Sequence, residues 1–195
     1  MAQSLPPDST GTEPVETLES ARAGDQKAFT QLFERYNAPI CKYLAHLVGN
    51  DEVGRDLAQE TFIRAWKGLP KLQGEIAFRP WLYRIATNVA RSYLKREQLI
   101  GLLPWADHEK ETSHHVLKVA GPEERAIEQE CITRILAMLS PQSRSCLLLQ
   151  HVAGFSQREI AAVLGISEKS VSAYVSRGRE QFRLEYRRLK GVPLR

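Results

Sequence analysis

Residues Phe155–Arg179 carry the clearest fold signal in the chain and read FSQREIAAVLGISEKSVSAYVSRGR. Ser156 and Glu159 have the S-x-x-E spacing of a capping box, which predicts that a helix begins at the next residue. Gly165 stands where a helix would end in a left-handed backbone conformation that a Cβ disfavours. Ser167 is placed to cap a second helix. This pattern is typical of a helix-turn-helix.

The two predicted helices separate apolar from polar side chains. The side chains expected to face inward recur at helical spacing and are Ile160, Ala161, Leu164, Val171, Tyr174 and Val175. The outward face of the second helix, placed to meet a DNA major groove, consists of Glu168, Lys169, Ser172, Ala173, Ser176 and Arg177. An αα-hairpin of any helical protein is the plainer interpretation, but the capping box, the glycine and the small Ala161 together favour DNA binding.

Composition and charge agree with a nucleic-acid partner without requiring one. The 195 residues are 43% hydrophobic, which is enough for one sizeable core or two small ones. The formal net charge is +4 and the pI is about 9.0, which favours polyanionic partners. Lys and Arg are absent from the first twenty residues but frequent from Arg177 onward. The positive charges thus continue from the second helix of the motif, where DNA phosphates would be contacted.

Cysteine usage indicates a reducing compartment. The three cysteines, Cys41, Cys131 and Cys146, are widely spaced within apolar helical patterns, as expected of small buried side chains. No Cys or His spacing predicts a metal site, and we expect no cofactor. The sequence has neither a secretory signal nor an apolar run long enough to span a bilayer. We therefore expect a cytoplasmic protein.

Helix signals and helix breakers divide the chain into two small helical domains, so the expected fold class is all-α. Residues 1–14 are predicted to be a disordered tail, residues 15–97 a first domain, residues 98–121 a flexible linker, and residues 122–195 a second domain containing the helix-turn-helix. Among the apolar residues at helical spacing that are predicted to face inward are Phe33, Trp66 and Met138.

A polar stripe follows one face of the last predicted helix of the first domain. It consists of Arg84, Asn88, Arg91 and Lys95, at spacings of four, three and four residues. Trp81 and Tyr83 stand near one end of it. Cations neutralise phosphates and aromatic rings stack on unpaired bases, so the combination favours single-stranded nucleic acid. A solvated helix face would have the same pattern, and Trp81 could equally belong to the core.

Three segments, in this order and spacing, carry a family resemblance: DLAQETFIRAW (Asp56–Trp66), FRPWLYRIATNVARSYLKR (Phe78–Arg96) and the helix-turn-helix. They resemble bacterial sigma factors of the extracytoplasmic-function (ECF) group over about Leu18–Glu97 and Pro122–Leu189. The resemblance implies that the two domains are sigma regions 2 and 4. It also implies a non-enzymatic protein that recruits core RNA polymerase to promoters, reads −10 and −35 elements and promotes DNA melting.

The resemblance implies roles for the residues that match the family's motifs. The predicted contacts with core polymerase, through its β′ coiled coil, are Asp56, Gln59 and Glu60; the β subunit is a further expected partner. The predicted −10 DNA contacts, which include a loop that takes up a flipped base, are Lys71, Gln73, Arg79, Trp81, Tyr83, Arg84, Asn88, Arg91 and Lys95. The predicted −35 DNA contacts are Lys169, Ser172, Ala173, Ser176, Arg177 and Arg179.

Several positions depart from the family pattern. Tyr174 replaces the usual arginine, and Ala173 and Ser176 are small, so −35 readout is expected to depend on Arg177, Lys169 and phosphate contacts. Thr87 and Ser92 stand where arginine and aspartate are commoner. These departures bear on the promoter sequence and leave the function class unchanged.

Two other function classes fit the sequence less well than a sigma factor. A stand-alone helix-turn-helix regulator would need a dimerisation or effector domain, which residues 26–96 do not resemble. An enzyme would need a catalytic set of side chains, and none is apparent.

The linker contains an apolar cluster that is unusual for a free tether. It consists of Leu99, Ile100, Leu102, Leu103 and Trp105. The family is commonly inhibited by an anti-sigma factor, so we expect a compact inhibited state and an extended state on polymerase, with the apolar segment buried in a channel. The alternative is that this segment folds back on the first domain.

Overall fold

The structure is a computed structural model that describes residues 15–72, 77–100 and 123–189. Every regular element in these ranges is helical, as expected for an all-α chain. The α-helices are α1 (Val15–Arg22), α2 (Gln26–Val48), α3 (Asp51–Gly68), α4 (Phe78–Ile100), α5 (Glu123–Met138), α6 (Pro141–His151), α7 (Gln157–Leu164) and α8 (Glu168–Leu189), with a short 3-10 helix at Leu69–Lys71.

Local capping sets the boundary between α2 and α3. The carboxylate of Asp25 accepts a hydrogen bond from the Lys27 amide at 2.8 Å and begins α2. Gly49, with φ of 80°, ends α2 in the left-handed region. The next residue, Asn50, caps α3 by accepting from the Val53 amide at 3.0 Å. Gly49 and the Asn50 side chain therefore end one helix and begin the next at adjacent residues.

Helices α2, α3 and α4 enclose the first core. Gly54 of α3 lies so close to α2 that a Cβ there would come within 2.7 Å of the Ala45 backbone. Tyr43 is fully buried, and its hydroxyl lies 2.8 Å from that of Thr87. The Thr87 hydroxyl also lies 2.7 Å from the Tyr83 carbonyl oxygen, to which it donates. Thr87 thus provides the buried Tyr43 phenol with a hydrogen-bond partner.

Helices α5 to α8 form the second core. Its fully buried side chains include Ile135, Leu149, Ile160 and Val171. Gly178 lets α8 approach α6, because a Cβ there would lie 2.9 Å from a methyl carbon of Leu147.

The two domains also contact each other directly. The Arg144 guanidinium of α6 donates to the Leu47 carbonyl at 3.0 Å, and the Gln129 side chain lies 3.2 Å from the ring of His46. The Tyr83 ring of α4 meets Phe155, which precedes α7, at a centroid distance of 4.9 Å. One apolar cluster consequently continues through both domains, so the linker is not their only connection.

Candidate nucleic-acid and protein interfaces

The helix-turn-helix forms as its capping residues predicted. The Ser156 amide donates to the Glu159 carboxylate at 2.8 Å, and the Glu159 amide donates to the Ser156 hydroxyl at 3.3 Å. Burial alone would raise the pKa of Glu159, but these hydrogen bonds and nearby Arg79 outweigh it, and the pKa lies below its ordinary value. Gly165 has φ of 67°, and Ser167 accepts from the amide three residues ahead at 3.1 Å.

The outward face of α8 is open to solvent along its first half. All six residues predicted to contact the −35 element are exposed: Lys169, Ser172, Ala173, Ser176, Arg177 and Arg179. The Arg177 guanidinium lies 4.9 Å above the ring of Tyr174, and its Nε donates to the Ala173 carbonyl at 3.3 Å. Tyr174 is half-buried and packs against the core. The Tyr174 ring, which packs against the core, therefore holds the Arg177 guanidinium on the outward face of α8.

The polar stripe of α4 is exposed along its whole length, and its members are Arg84, Asn88, Arg91 and Lys95. Among the described residues none of the four belongs to an ion pair. The opposite face of the helix packs into the first core through Leu82 and Val89. The stripe thus presents three cations and an amide on a rigid element.

The aromatic end of the predicted −10 set is covered. Trp81 is 9% exposed and packs on Phe78 at 5.7 Å. Tyr83 is 2% exposed, meeting Tyr43 at 5.2 Å and Phe155 at 4.9 Å, and burial raises its pKa to about 12. The structure therefore leaves the polar stripe exposed to solvent and buries the aromatic rings.

The loop that precedes α4 is only partly described. Lys71 is exposed at the end of the 3-10 helix, whereas Gln73 lies outside the described residues. The Leu72 carbonyl accepts a hydrogen bond of 2.5 Å from the Arg22 guanidinium of α1. Helix α1 thereby anchors the start of the loop.

The predicted polymerase-binding residues lie on the outer side of α3. Asp56 and Gln59 are exposed, and Glu60 pairs with Arg64 one turn later at 2.6 Å. Beside them Ile63 is 55% exposed and Trp66 is 36% exposed. Trp66 was predicted to face inward, and Ile63 was not identified as part of this surface. The sequence pattern that could have placed Ile63 on this surface is its spacing, three residues after Glu60 and four after Gln59, which puts the three side chains on one helix face.

The described ranges offer no site for a metal ion, since they contain no group of three or more His, Cys, Asp or Glu side chains suited to hold one. Nor does any helix in these ranges have the length and apolar character needed to cross a membrane.

Comparison with known families and proteins covers both domains. Residues 32–100 match Sigma-70 region 2, and residues 129–182 match Sigma-70, region 4. The chain is 30% identical over 170 residues to the ECF RNA polymerase sigma-E factor of Salmonella typhi, covering 84% of this chain and 88% of that protein. It is 32% identical over 162 residues to the RNA polymerase sigma factor NccH of Alcaligenes xylosoxydans xylosoxydans, covering 82% and 87%.

Solved structures share the same architecture. CnrH, in complex with the cytosolic domain of CnrY, has a TM-score of 0.67 at 26% identity, covering 87% of this chain and 94% of that one. The sigma factor RpoE of Bartonella quintana, in complex with the anti-sigma factor NepR, has a TM-score of 0.65 at 21% identity, covering 82% and 96%. This second likeness bears on the fold alone. The chain therefore belongs to the ECF group of bacterial sigma factors, the subunits that direct core RNA polymerase to promoters.

Proposed function

We propose that three separate surfaces of this sigma factor bind different targets. The outer side of α3 binds core polymerase, the polar stripe of α4 contacts the unpaired −10 strand, and the outward face of α8 reads the −35 element. The observation that carries this proposal is the α4 stripe, since all four of its side chains are exposed and one amide, Asn88, stands among three cations. Such a row is suited to a flexible anionic strand.

The composition of the stripe separates positioning from base readout. Arg84, Arg91 and Lys95 can neutralise phosphates, which fixes the strand on the helix without reading its sequence. Asn88 stands between the cations and can donate and accept hydrogen bonds at a base edge. Because unpaired bases expose those edges, binding to them favours the melted state over the duplex. Asn88 is therefore proposed to contribute to melting, and the cations mainly to affinity.

The α3 surface combines charge with exposed apolar area. Asp56 and Glu60 provide negative charge, and Ile63 and Trp66 provide apolar side chains next to it. Interfaces commonly concentrate binding energy in a few apolar or aromatic side chains, while charges at the rim set orientation and association rate. We expect the polymerase surface that meets α3 to be basic around an apolar contact.

Regulation by a protein inhibitor is part of the proposal. CnrH is a relative of known structure that was solved with another protein, the cytosolic domain of CnrY. The present chain has the same architecture and an exposed α3 surface on which such a partner can compete with polymerase. We therefore propose an anti-sigma factor as its regulator. The chain is proposed to act by binding alone, without catalytic activity of its own, in the cytoplasm where its polymerase partner works.

The test of the −10 assignment is promoter opening by Asn88→Ala. We expect open-complex formation with core polymerase to fall about five- to tenfold on duplex promoter, in line with one lost base contact of about 1 to 1.4 kcal/mol. On a template already unpaired across the −10 element the loss should be smaller. Glu97→Ala, an exposed change on the same helix, is the matched control and should leave open-complex formation unchanged on both templates. Equal losses on the two templates would contradict a role in melting.

A further inference from the structure

Arg22, the last residue of α1, joins that helix to the segment that follows α3. Its Nη2 donates to the Leu72 carbonyl at 2.5 Å, and its Nη1 pairs with the Glu19 carboxylate, one turn earlier, at 3.0 Å. The exposed pair with Glu19 contributes little stability by itself, but it orients the planar guanidinium. A hydrogen bond from a cation to a carbonyl is stronger than one between neutral groups. Arg22 therefore fixes Leu72 relative to α1.

Helix α1 is itself attached to the first core. It has only eight residues, and an isolated helix of that length is not stable in water. Ala21 is fully buried, and Leu18 packs against the core. At the end of the helix the Gly24 amide donates to the Ala21 carbonyl at 3.1 Å, in a turn that leads directly into α2. Arg22 thus extends from a helix that the core holds in place.

Residues 69–72, which we term the entry segment, lead from α3 toward the predicted −10 loop. Leu69 is 1% exposed, and its carbonyl accepts a hydrogen bond from the Leu72 amide at 3.2 Å. The Trp81 ring of α4 packs so closely on Gly68, just before the segment, that a Cβ there would lie 3.3 Å from it. The entry segment is therefore fixed on one side by packing against the core and on the other by the bond from α1.

The position of the entry segment bears on two of the predicted −10 contacts. Lys71 lies within the segment and is exposed, and Gln73 follows Leu72 directly in the sequence. Because consecutive Cα atoms are separated by a fixed distance of about 3.8 Å, a displacement of Leu72 is passed on to both neighbours. Hydrogen bonds to unpaired bases weaken steeply when their length or angle changes. A displaced entry segment would thus impair −10 readout and leave the α3 and α8 surfaces unchanged.

We propose that Arg22 is a positioning residue for −10 recognition. It fixes the entry segment through the Leu72 carbonyl and makes no contact with DNA itself. The proposal rests on the proposed −10 role of the first domain. It adds to that role a residue of α1, a helix that precedes all three sequence segments on which the family resemblance depends.

The test compares the unaltered full chain with Arg22→Ala, which removes the bonds to Leu72 and Glu19. Arg22→Lys keeps the charge, but its single ammonium cannot reproduce the planar fork between the two partners. Val15→Ala, an exposed change on the same helix, is the matched control. Asn88→Ala gives the loss caused by removing a proposed −10 contact. Circular dichroism verifies the fold of each variant, and a binding assay with core polymerase verifies holoenzyme assembly.

The measurement is holoenzyme binding to templates that are unpaired across the −10 element and differ there at a single base. The ratio of their binding constants is the −10 preference. We expect Arg22→Ala to lower this preference about three- to tenfold, because its base contacts are misplaced, with core binding and the −35 preference unchanged. Arg22→Lys should recover part of the loss, and Val15→Ala should match the unaltered chain. An intact −10 preference in folded Arg22→Ala would overturn the proposal.

Two further outcomes separate this proposal from its alternatives. If Arg22 itself bound a phosphate, Arg22→Ala would weaken binding to all −10 variants alike and reduce the salt dependence by about one ion, which would overturn the positioning role. Loss of −10 preference in Asn88→Ala but not in Arg22→Ala would overturn that role alone and leave the −10 assignment intact. An unaltered holoenzyme with no preference among the unpaired templates would overturn the −10 assignment, and the role of Arg22 with it.

Discussion

Arg177 does not stand alone on the outward face of α8. Its guanidinium lies 4.9 Å above the ring of Tyr174, one turn earlier, and its Nε donates to the Ala173 carbonyl. Tyr174 packs against the core with its other side. Because the ring holds the cation before DNA arrives, less side-chain entropy remains to be lost on binding. Tyr174 is thus expected to position Arg177 for a contact that it does not make itself.

We predict that Arg177→Ala reduces discrimination among −35 variants roughly tenfold, the range of one lost base contact. Tyr174→Leu should reduce it about twofold to fivefold, since a surface cation–π contact contributes about 0.5–1 kcal/mol. Tyr174→Phe keeps the ring and should retain discrimination. The measurement is the ratio of binding constants of the polymerase holoenzyme for promoters that differ only in the −35 element.

Arg188→Ala is the control for charge alone. Arg188 lies in the last turn of α8, beyond the outward face, so its loss should weaken binding to all −35 variants alike and reduce the salt dependence. If Arg177→Ala leaves the preference intact, the register proposed for α8 is wrong. If only Tyr174→Leu leaves it intact, or if it adds a further loss in the Arg177→Ala background, the positioning role is wrong.

Single residues also mark where prediction from sequence failed. Helical spacing assigned Phe33, Trp66 and Met138 to inward faces, and the structure leaves them 37%, 36% and 53% exposed. Spacing identifies the side of a helix but not how far a neighbouring helix extends along it. Trp66 lies near the end of α3, where its ring meets the Phe29 ring at a centroid distance of 4.8 Å and remains partly exposed. Its exposure depends on packing that no local pattern contains.

At the scale of elements, α7 depends on its capping box. The Ser156 hydroxyl accepts from the Glu159 amide, and the Glu159 carboxylate accepts from Ser156 in return. We predict that Ser156→Ala lowers the free energy of unfolding by about 1 kcal/mol at neutral pH. Gln157→Ala, an exposed change within the same turn, should cost less because it removes no cap. Urea unfolding followed by circular dichroism measures both.

The loss caused by Ser156→Ala should depend on pH. The pKa of Glu159 is depressed below 4.5 in the folded chain, so its charged form contributes stability above the unfolded pKa. That contribution disappears as the pH falls through the folded pKa. The difference between the two proteins should therefore narrow as the pH falls from about 4.5 through the lower folded pKa. A difference that stays constant or widens would contradict the contribution assigned to the carboxylate.

Helix boundaries in this chain were largely predictable because their signals are local. Ser156, Glu159 and Gly165 define α7 within ten residues, and all three behave as their types predict. The end of α4 was less predictable. The helix continues to Ile100, past residue 97 where the first domain was expected to end. After Pro80 in its first turn, α4 contains no glycine or proline before Gly101, whereas the linker was predicted to begin at residue 98 because no helical period is sustained from there to residue 121.

At the scale of the whole molecule, the sequence predicted two domains but not their contact. Tyr83 and Phe155 belong to separate helical patterns on either side of a linker, and each pattern is complete without the other. Their packing is a long-range property that local periodicity does not encode. The same limitation explains why some of the predicted −10 residues are exposed and others are buried. The stripe from Arg84 to Lys95 is exposed as expected, whereas Tyr83 is covered by the other domain.

The three surfaces are distributed so that polymerase and promoter DNA can bind together once the domains separate. The α3 surface is acidic and apolar, and the α4 and α8 surfaces are rich in cations. Opposite charge complements a basic protein surface in the first case and DNA in the others. Polymerase and promoter would thus bind without competing for one site.

The most direct test of this account is transcription by purified core polymerase on a promoter library, with and without the chain. We predict transcripts from a defined set of promoters that share −10 and −35 elements and depend on the added chain. Glu60→Lys, which reverses a charge on the α3 surface, should reduce this output at limiting protein by weakening core binding. Transcript levels that are the same with and without the chain would contradict its assignment as a promoter-directing subunit.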